Sequence, residues 1–111
     1  MDPKTWQQIE QLRGWLDKNA GDLSERERIL LRVLKINEEA GEVAEAVHGA
    51  LGGNPRKGAS HSWADVEKEL CDVIVTASVA LASVNPEAAA KVFENRLQHL
   101  VDRVIPPAPE G

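Results

Sequence analysis

The sequence predicts an all-α fold, and three observations support that class. Apolar residues recur at three- and four-residue spacing and almost nowhere alternate as they would in a strand. The 111 residues are 42% hydrophobic and 28% charged, which is the composition of one ordinary domain. Stretches rich in glycine or proline divide the chain into four helical segments. We therefore expect a single four-helix domain over residues 1–105 and a proline-rich, disordered tail over residues 106–111.

The first helix is predicted from about Pro3 to Lys18. Proline suits the first turn of a helix, because its missing N–H would have no partner there in any case. The helix carries one apolar stripe, which we expect to pack in the core: Trp6, Ile9, Leu12, Trp15 and Leu16. The alternative for Trp6 and Trp15 is that an aromatic side chain of this helix forms a wall of a base pocket. The segment Asn19-Ala-Gly21 ends the helix.

The second helix is the longest. Ser24 followed by Glu27 has the form of a capping box, in which each side chain satisfies a free backbone N–H. The helix is expected to reach about Leu51, where Gly52-Gly53 stops it.

The third and fourth helices follow a loop over residues 52–61. Ser62 and Asp65 are predicted to cap a third helix that ends near Ala82. The segment Asn85-Pro86-Glu87 is expected to start the fourth helix, which places an apolar stripe on one side until the prolines after residue 105 stop it. The members of that stripe are Ala89, Phe93, Leu97, Leu100 and Val104.

The second and third helices share an acidic pattern. Ile36-x-x-Glu39-Ala40-x-Glu42-Val43 aligns with Val66-x-x-Glu69-Leu70-x-Asp72-Val73. Three residues advance a helix by about 300°, so the two acids of each pair share one face and flank an apolar stripe. If the two helices pack antiparallel, all four carboxylates converge on one pocket at the edge of the core.

Converging carboxylates repel each other, and protonation or cation binding relieves that repulsion. An all-oxygen cluster suits Mg²⁺, with Mn²⁺ as a substitute, and protein-bound Mg²⁺ is commonly shared with substrate phosphates. The alternative is that each pair is a solvated helix face, because acids at this spacing are common in charged helices.

Composition and charge exclude several classes of protein. A net charge of −5 argues against a protein that coats nucleic acid. Cys71 is the single cysteine and the start of the sequence lacks a secretory pattern, so a cytoplasmic setting is expected. The uncharged stretch from Val73 to Val84 is too short to cross a membrane. A domain of this size buries a modest share of its surface, so we expect a homo-oligomer in which a second subunit contributes walls to any deep pocket.

Two motifs together resemble those of a known family. Glu38-Glu39-Ala-Gly-Glu42-Val-Ala-Glu45-Ala, followed by Glu69-Leu-Cys-Asp72-Val-Ile, resembles the EExxE and ExxD motifs of the MazG-like all-α nucleotide pyrophosphohydrolases. In the fourth helix, Lys91-Val-Phe-Glu-Asn95-Arg96 is similar to the KxxxNR element that family members often carry. The resemblance spans helices two to four.

The resemblance implies hydrolysis of a nucleoside triphosphate between the α and β phosphates, inside a homodimer or a dimer-of-dimers tetramer of MazG-like modules. It makes Glu39, Glu42, Glu69 and Asp72 the Mg²⁺ ligands. Glu38, one turn from Glu42, is the candidate general base for the attacking water.

Six further residues are candidate substrate contacts, each with a simpler alternative. Lys35 can reach a phosphate or offset the acids, and Arg56 with Lys57 can clamp a triphosphate or belong to an ordinary loop. Trp63 can stack on the base or pack in the core or an interface. Lys91 and Asn95 can touch phosphate or sugar, or form a solvated face.

Two other functions remain open from the sequence. The first is a non-catalytic helical assembly module that keeps the acids as a surface. The second keeps the fold and changes the substrate to a phosphoribosyl-nucleotide or a damaged nucleotide.

Overall fold

The computed structural model describes residues 1–53, 55–56 and 58–109, and in those ranges it consists of four helices joined by turns and loops, without a β-strand. The all-α prediction is therefore confirmed. The four helices are α1 (Pro3–Lys18), α2 (Glu25–Ala50), α3 (Trp63–Val84) and α4 (Ala89–Val104).

Capping boxes start α2 and α3 where the sequence predicts them. The Ser24 hydroxyl accepts a hydrogen bond from the Glu27 N–H at 3.2 Å, and the Glu27 carboxylate accepts from the Ser24 N–H at 3.0 Å. Ser62 and Asp65 exchange the same pair of bonds at 3.3 and 2.9 Å. Bonds from these backbone N–H groups lower the pKa of Glu27 and of Asp65, because they stabilise the ionised carboxylates.

The start of α4 differs from the prediction. Asn85, expected to open that helix, instead terminates α3, and its side-chain oxygen accepts a hydrogen bond from the Ala88 N–H at 3.1 Å. The turn held by this bond occupies the residues expected to be helical, so α4 begins at Ala89 and α3 extends two residues beyond Ala82. The chain bends by 118° between α3 and α4.

The long helices α2 and α3 form an antiparallel hairpin, and α1 and α4 pack against α3. Gly49 at the end of α2 lies so close to His61 that a Cβ atom there would collide with the imidazole ring. Ile9 of α1, Val79 and Ala82 of α3 and Ala89 of α4 form one cluster of the core. This cluster lies at the end of the hairpin where α2 begins and α3 ends.

The helices do not close into a compact bundle within one chain. The radius of gyration is 17.8 Å, against about 13 Å for a compact domain of this length. Trp6 packs beside the core and contacts Phe93 edge to face, at 6.1 Å between ring centroids. The expectation that Trp15 also lies in the core is wrong, because 61% of its surface is exposed. Leu97, Leu100 and Val104 of the α4 stripe are likewise exposed.

Among the described residues, no one helix has both the length and the apolarity to cross a membrane. The bent α3–α4 pair passes the same test of length and composition when the two helices are taken together.

Candidate metal centre and adjoining groove

Three carboxylates from the two hairpin helices meet at one point. Glu39 on α2 and Glu69 and Asp72 on α3 each offer an oxygen, and these oxygens lie within 4.8 Å of one another. The antiparallel pairing of α2 and α3 produces this meeting, since it sets the middle of one helix against the first half of the other. Three of the four predicted metal ligands are thus brought together.

Glu42, the fourth predicted ligand, lies at the exposed rim of this group. The charge of Glu39 is the largest cause that raises the pKa of Glu42, with smaller effects from desolvation and from Glu69. We call Glu39, Glu42, Glu69 and Asp72 the acidic cluster. Its members lie close enough for one negative charge to oppose the ionisation of another.

Glu69 makes the cluster different from a solvated helix face. Its Oε2 atom is buried and has no hydrogen-bond partner among the described residues. The side chains of Glu39 and Glu69 are only 12% and 19% exposed. A buried carboxylate oxygen without a donor is costly, and a bound cation would remove that cost.

Two lysines partly neutralise the cluster from outside. The Lys68 ammonium lies 3.4 Å from Glu69 and 3.3 Å from Asp72, and Lys35 lies 3.9 Å from Glu39. Hydrogen bonds to Asp72 and Glu69 raise the pKa of Lys68. Two ammonium groups against four carboxylates leave negative charge at the centre. Both ammonium groups are largely exposed, so water screens these ion pairs.

Lys68 is a residue of this site that the sequence analysis missed. Its spacing of four residues before Asp72 was the available signal, because side chains at that spacing are neighbours on a helix. Lys35, a predicted substrate contact, forms an ion pair with Glu39 and so offsets the charge of the acids, which is the simpler of its two predicted roles.

Glu38, the candidate general base, is exposed. It lies about 100° around α2 from Glu39, outside the cluster itself. Its carboxylate has no hydrogen bond or ion pair in the part of the chain that the structure describes.

A groove of about 400 Å³ adjoins the cluster, between α1, α2 and α3. Its walls are mostly apolar, with Leu12, Trp15 and Leu16 of α1 facing Leu31, Val75 and Val79. Arg28, Arg32 and Lys35 follow one another along α2 at its edge, so Lys35 belongs to both the groove and the cluster. The exposed Trp15 is therefore the aromatic wall of a groove rather than a core residue.

Asp17 ties the first two helices together beside this groove. Its carboxylate lies 2.7 Å from Arg32 and 3.5 Å from Arg28. Arg32 also donates a hydrogen bond to the Ser83 hydroxyl at 3.0 Å, which connects α2 to α3. This network could not be predicted from local spacing, because its members lie on three helices and are far apart along the chain.

Three of the other predicted substrate contacts, Trp63, Lys91 and Asn95, are not brought to the cluster within one chain. Trp63 lies nine residues before Asp72, so it points about 180° away around α3. Lys91 and Asn95 are exposed on α4 and form no hydrogen bond or ion pair within the described ranges. Arg56 is exposed in the loop, and Lys57 lies outside the described residues.

Comparison of the chain with known protein families, with curated proteins and with solved structures finds no match.

Proposed function

We propose that this protein is a Mg²⁺-dependent nucleotide pyrophosphohydrolase that cleaves a nucleoside triphosphate between the α and β phosphates. The single observation that carries the proposal is that carboxylate oxygens of Glu39, Glu69 and Asp72 lie within 4.8 Å of one another, while Oε2 of Glu69 is buried without a hydrogen-bond partner among the described residues. Hard oxygen ligands of this kind favour Mg²⁺, and Mn²⁺ is the expected substitute.

The protein's own residues divide the work of the reaction. Glu39, Glu69 and Asp72 would hold the ion, and Glu42 would complete the set from the rim. When bound, Mg²⁺ neutralises charge that develops on the phosphate oxygens. A water oxygen forms a bond to the α-phosphorus as the bond from that phosphorus to the bridging oxygen breaks, and pyrophosphate leaves. Glu38 accepts the proton that the water loses.

The groove is the proposed site for the nucleoside. Its volume of about 400 Å³ and its apolar walls are typical of small-molecule sites, and Trp15 offers a ring for stacking. Lys35 lies between the groove and the cluster, where a triphosphate joining the two would pass. Trp15 is therefore a better candidate for the base contact than Trp63, which points away.

Lys91 and Asn95 fit this proposal only as contacts from another subunit, because α4 does not reach the cluster of its own chain. We therefore retain the proposal of a homodimer or a dimer-of-dimers tetramer. A nucleotide substrate and a reduced single cysteine fit a cytoplasmic setting.

The test is an assay of triphosphate cleavage. Purified protein is incubated with Mg²⁺ and a panel of ordinary and damaged nucleoside triphosphates and phosphoribosyl-nucleotides, and pyrophosphate and monophosphate are measured. Glu39→Gln is expected to abolish release. Glu45→Gln, which changes an exposed acid of the same helix outside the cluster, is the matched control and should retain activity.

Absence of cleavage for every compound, together with no thermal stabilisation by Mg²⁺ or Mn²⁺, would contradict the proposal. That outcome would favour the second candidate function, a non-catalytic helical assembly module. The ion pairs of Lys68 with Glu69 and Asp72 are the observation that favours this alternative, because they offset part of the charge without a metal.

A further inference from the structure

The groove beside the acidic cluster has a positively charged edge to which the proposed function gives no role. Arg28 and Arg32 lie on that edge. The carboxylate of Asp17 lies against both guanidinium groups, 3.5 Å from Arg28 and 2.7 Å from Arg32. Arg13, which also contacts Asp17, has a second carboxylate partner in Glu10. Arg28 and Arg32 therefore share one negative charge and keep a net positive charge at the groove.

Both guanidinium groups are held in place and still have N–H donors for a ligand. Arg32 has two partners among the described residues, Asp17 and the Ser83 hydroxyl. Arg28 has Asp17 and the Leu23 carbonyl oxygen, the latter at 3.2 Å. A guanidinium carries more donors than one pair of partners occupies, and the 3.5 Å contact of Arg28 with Asp17 is too long for a strong hydrogen bond. The Arg28 side chain is also the more exposed, at 26% against 12% for Arg32, so Arg28 is the better placed of the two to contact a ligand.

The spacing along α2 places the two arginines at the base end of a bound nucleotide. From Glu39, Lys35 lies about 6 Å away along the helix axis, Arg32 about 10 Å and Arg28 about 16 Å. In the proposed function the phosphates lie over the cluster and Lys35, and the nucleoside continues into the groove. The base is therefore the part of the substrate that reaches Arg28.

The groove offers cationic hydrogen-bond donors and no carboxylate. Among the described residues that line it, the polar side chains are Asn19, Arg28, Arg32, Lys35 and Thr76. A guanidinium is a planar fork of charge-assisted donors, and it matches two acceptors on one edge of a base. Guanine presents such a pair in O6 and N7, whereas adenine has an amino group, itself a donor, in place of O6. Hypoxanthine has the same O6 and N7 pair as guanine.

We propose that the groove selects a purine with a carbonyl oxygen at position 6, guanine or hypoxanthine, through hydrogen bonds from Arg28 to O6 and N7. This inference rests on the proposed function and adds the class of base that the site accepts. Trp15 provides the stacking surface for the purine. Arg32 is a positioning residue, because it holds the Asp17 carboxylate beside Arg28.

The test compares two substrates that differ at this edge of the base. Inosine triphosphate and ATP have the same sugar and phosphates, and hypoxanthine carries a carbonyl group where adenine carries an amino group. With Mg²⁺, kcat/KM is expected to be about tenfold higher for inosine triphosphate. Arg28→Lys keeps the positive charge and loses the fork, so it should remove most of this preference and change cleavage of ATP little. Arg26→Lys makes the same change at an exposed residue of α2 outside the groove and should keep the preference.

Binding of uncleavable analogues separates this inference from the proposed function. Analogues of GTP and ATP with a methylene group between the α and β phosphates are not hydrolysed there, and calorimetry with Mg²⁺ measures their affinities. The GTP analogue is expected to bind about tenfold more tightly. If no triphosphate is cleaved but this difference is found and Arg28→Lys removes it, the proposed function fails and the selection of the base stands.

Two results would overturn the selection of the base. The first is an equal kcat/KM for inosine triphosphate and ATP, which would leave the proposed function intact. The second is an Arg28→Lys variant that is helical by circular dichroism and loses activity equally toward both substrates, because Arg28 would then contact the phosphates that the two share.

Discussion

The two sides of the α2–α3 hairpin are built from the same two helices and have opposite chemistry. One side carries the acidic cluster, two lysines and a groove covered by α1. The other side carries apolar side chains that are about half exposed, among them Trp63, Leu70 and Ile74. The difference follows α1, which packs against α3 and lines the groove on the first side.

This comparison teaches that apolar spacing along a helix does not by itself identify the core of a chain. Leu70 and Val66 belong to the same predicted stripe beside Glu69, yet Val66 is buried and Leu70 is half exposed. Val66 lies at the seam of the two helices and is covered there, whereas Leu70, about 40° further around the helix, is left half exposed. The pattern predicts an apolar face but not which of its residues are covered.

The largest expected effect is on the acidic side. Glu69→Gln should reduce triphosphate cleavage by on the order of 100-fold or more, because it removes the charge of a proposed metal ligand with one buried oxygen. The measurement is initial pyrophosphate release under saturating Mg²⁺. Glu67→Gln changes an exposed acid two residues away, outside the cluster, and should retain activity within about twofold. Equal losses in both variants would contradict the assignment of Glu69.

Substitutions of the two exposed tryptophans, Trp15 in the groove and Trp63 on the opposite side, test the two sides of the hairpin against each other. Trp15→Ala should raise the KM for the triphosphate by about tenfold, because a stacking contact with a base is worth about 1–3 kcal/mol. Trp63→Ala should leave that KM nearly unchanged, because Trp63 points away from the cluster and does not line the groove. Steady-state kinetics measure both values. The reverse order would place the base near Trp63 and not in the groove.

Glu42→Gln should raise the melting temperature of the metal-free protein and reduce the further rise that Mg²⁺ produces. The pKa of Glu42 is raised in the folded chain, so repulsion costs stability at neutral pH and disappears as pH falls below the unfolded value of 4.5. The variant should therefore melt at a higher temperature than the wild type at pH 7 without metal, and at the same temperature at low pH. Its gain in melting temperature on adding Mg²⁺ should be smaller than that of the wild type.

Thermal scans at several pH values, with and without Mg²⁺, measure this prediction. Equal melting temperatures at pH 7 in metal-free buffer would mean that the lysines already cancel the repulsion. In that case the Lys68→Gln variant should melt at a lower temperature than the wild type at pH 7, because one of the two compensating charges is lost.

The smallest expected effect concerns two glycines of α2. A Cβ at Gly41 meets no atom within 4 Å, so Gly41→Ala should stabilise the protein by about 0.5–1 kcal/mol. Gly49→Ala should lose this gain, because the new Cβ would press on the His61 ring and on the Ser60 hydroxyl, 2.6 Å away. Urea unfolding of both variants provides the comparison. A stabilised Gly49→Ala variant would mean that the chain before α3 shifts easily.

The helices themselves could largely be read from the sequence. Their starts depend on bonds between residues three apart, such as those of Ser24 with Glu27 and of Ser62 with Asp65. The start of α4 was the exception, since the Asn85 side chain can hold a turn as well as a helix and the tertiary structure selected the turn. The meeting of Glu39, Glu69 and Asp72 could also be predicted in part, because the spacing of Glu69 and Asp72 places them on one face of α3.

The sequence by itself determined the helices, their caps and the faces that carry acids, because these depend on hydrogen bonds and rotations over three or four residues. The tertiary structure alone decided which apolar stripes are covered. It placed Trp15 in a groove, turned Trp63 and Ile74 outward, and buried an oxygen of Glu69 that has no hydrogen-bond partner among the described residues. Burial depends on which helices meet, and that contact joins residues far apart in the chain whose spacing carries no local signal.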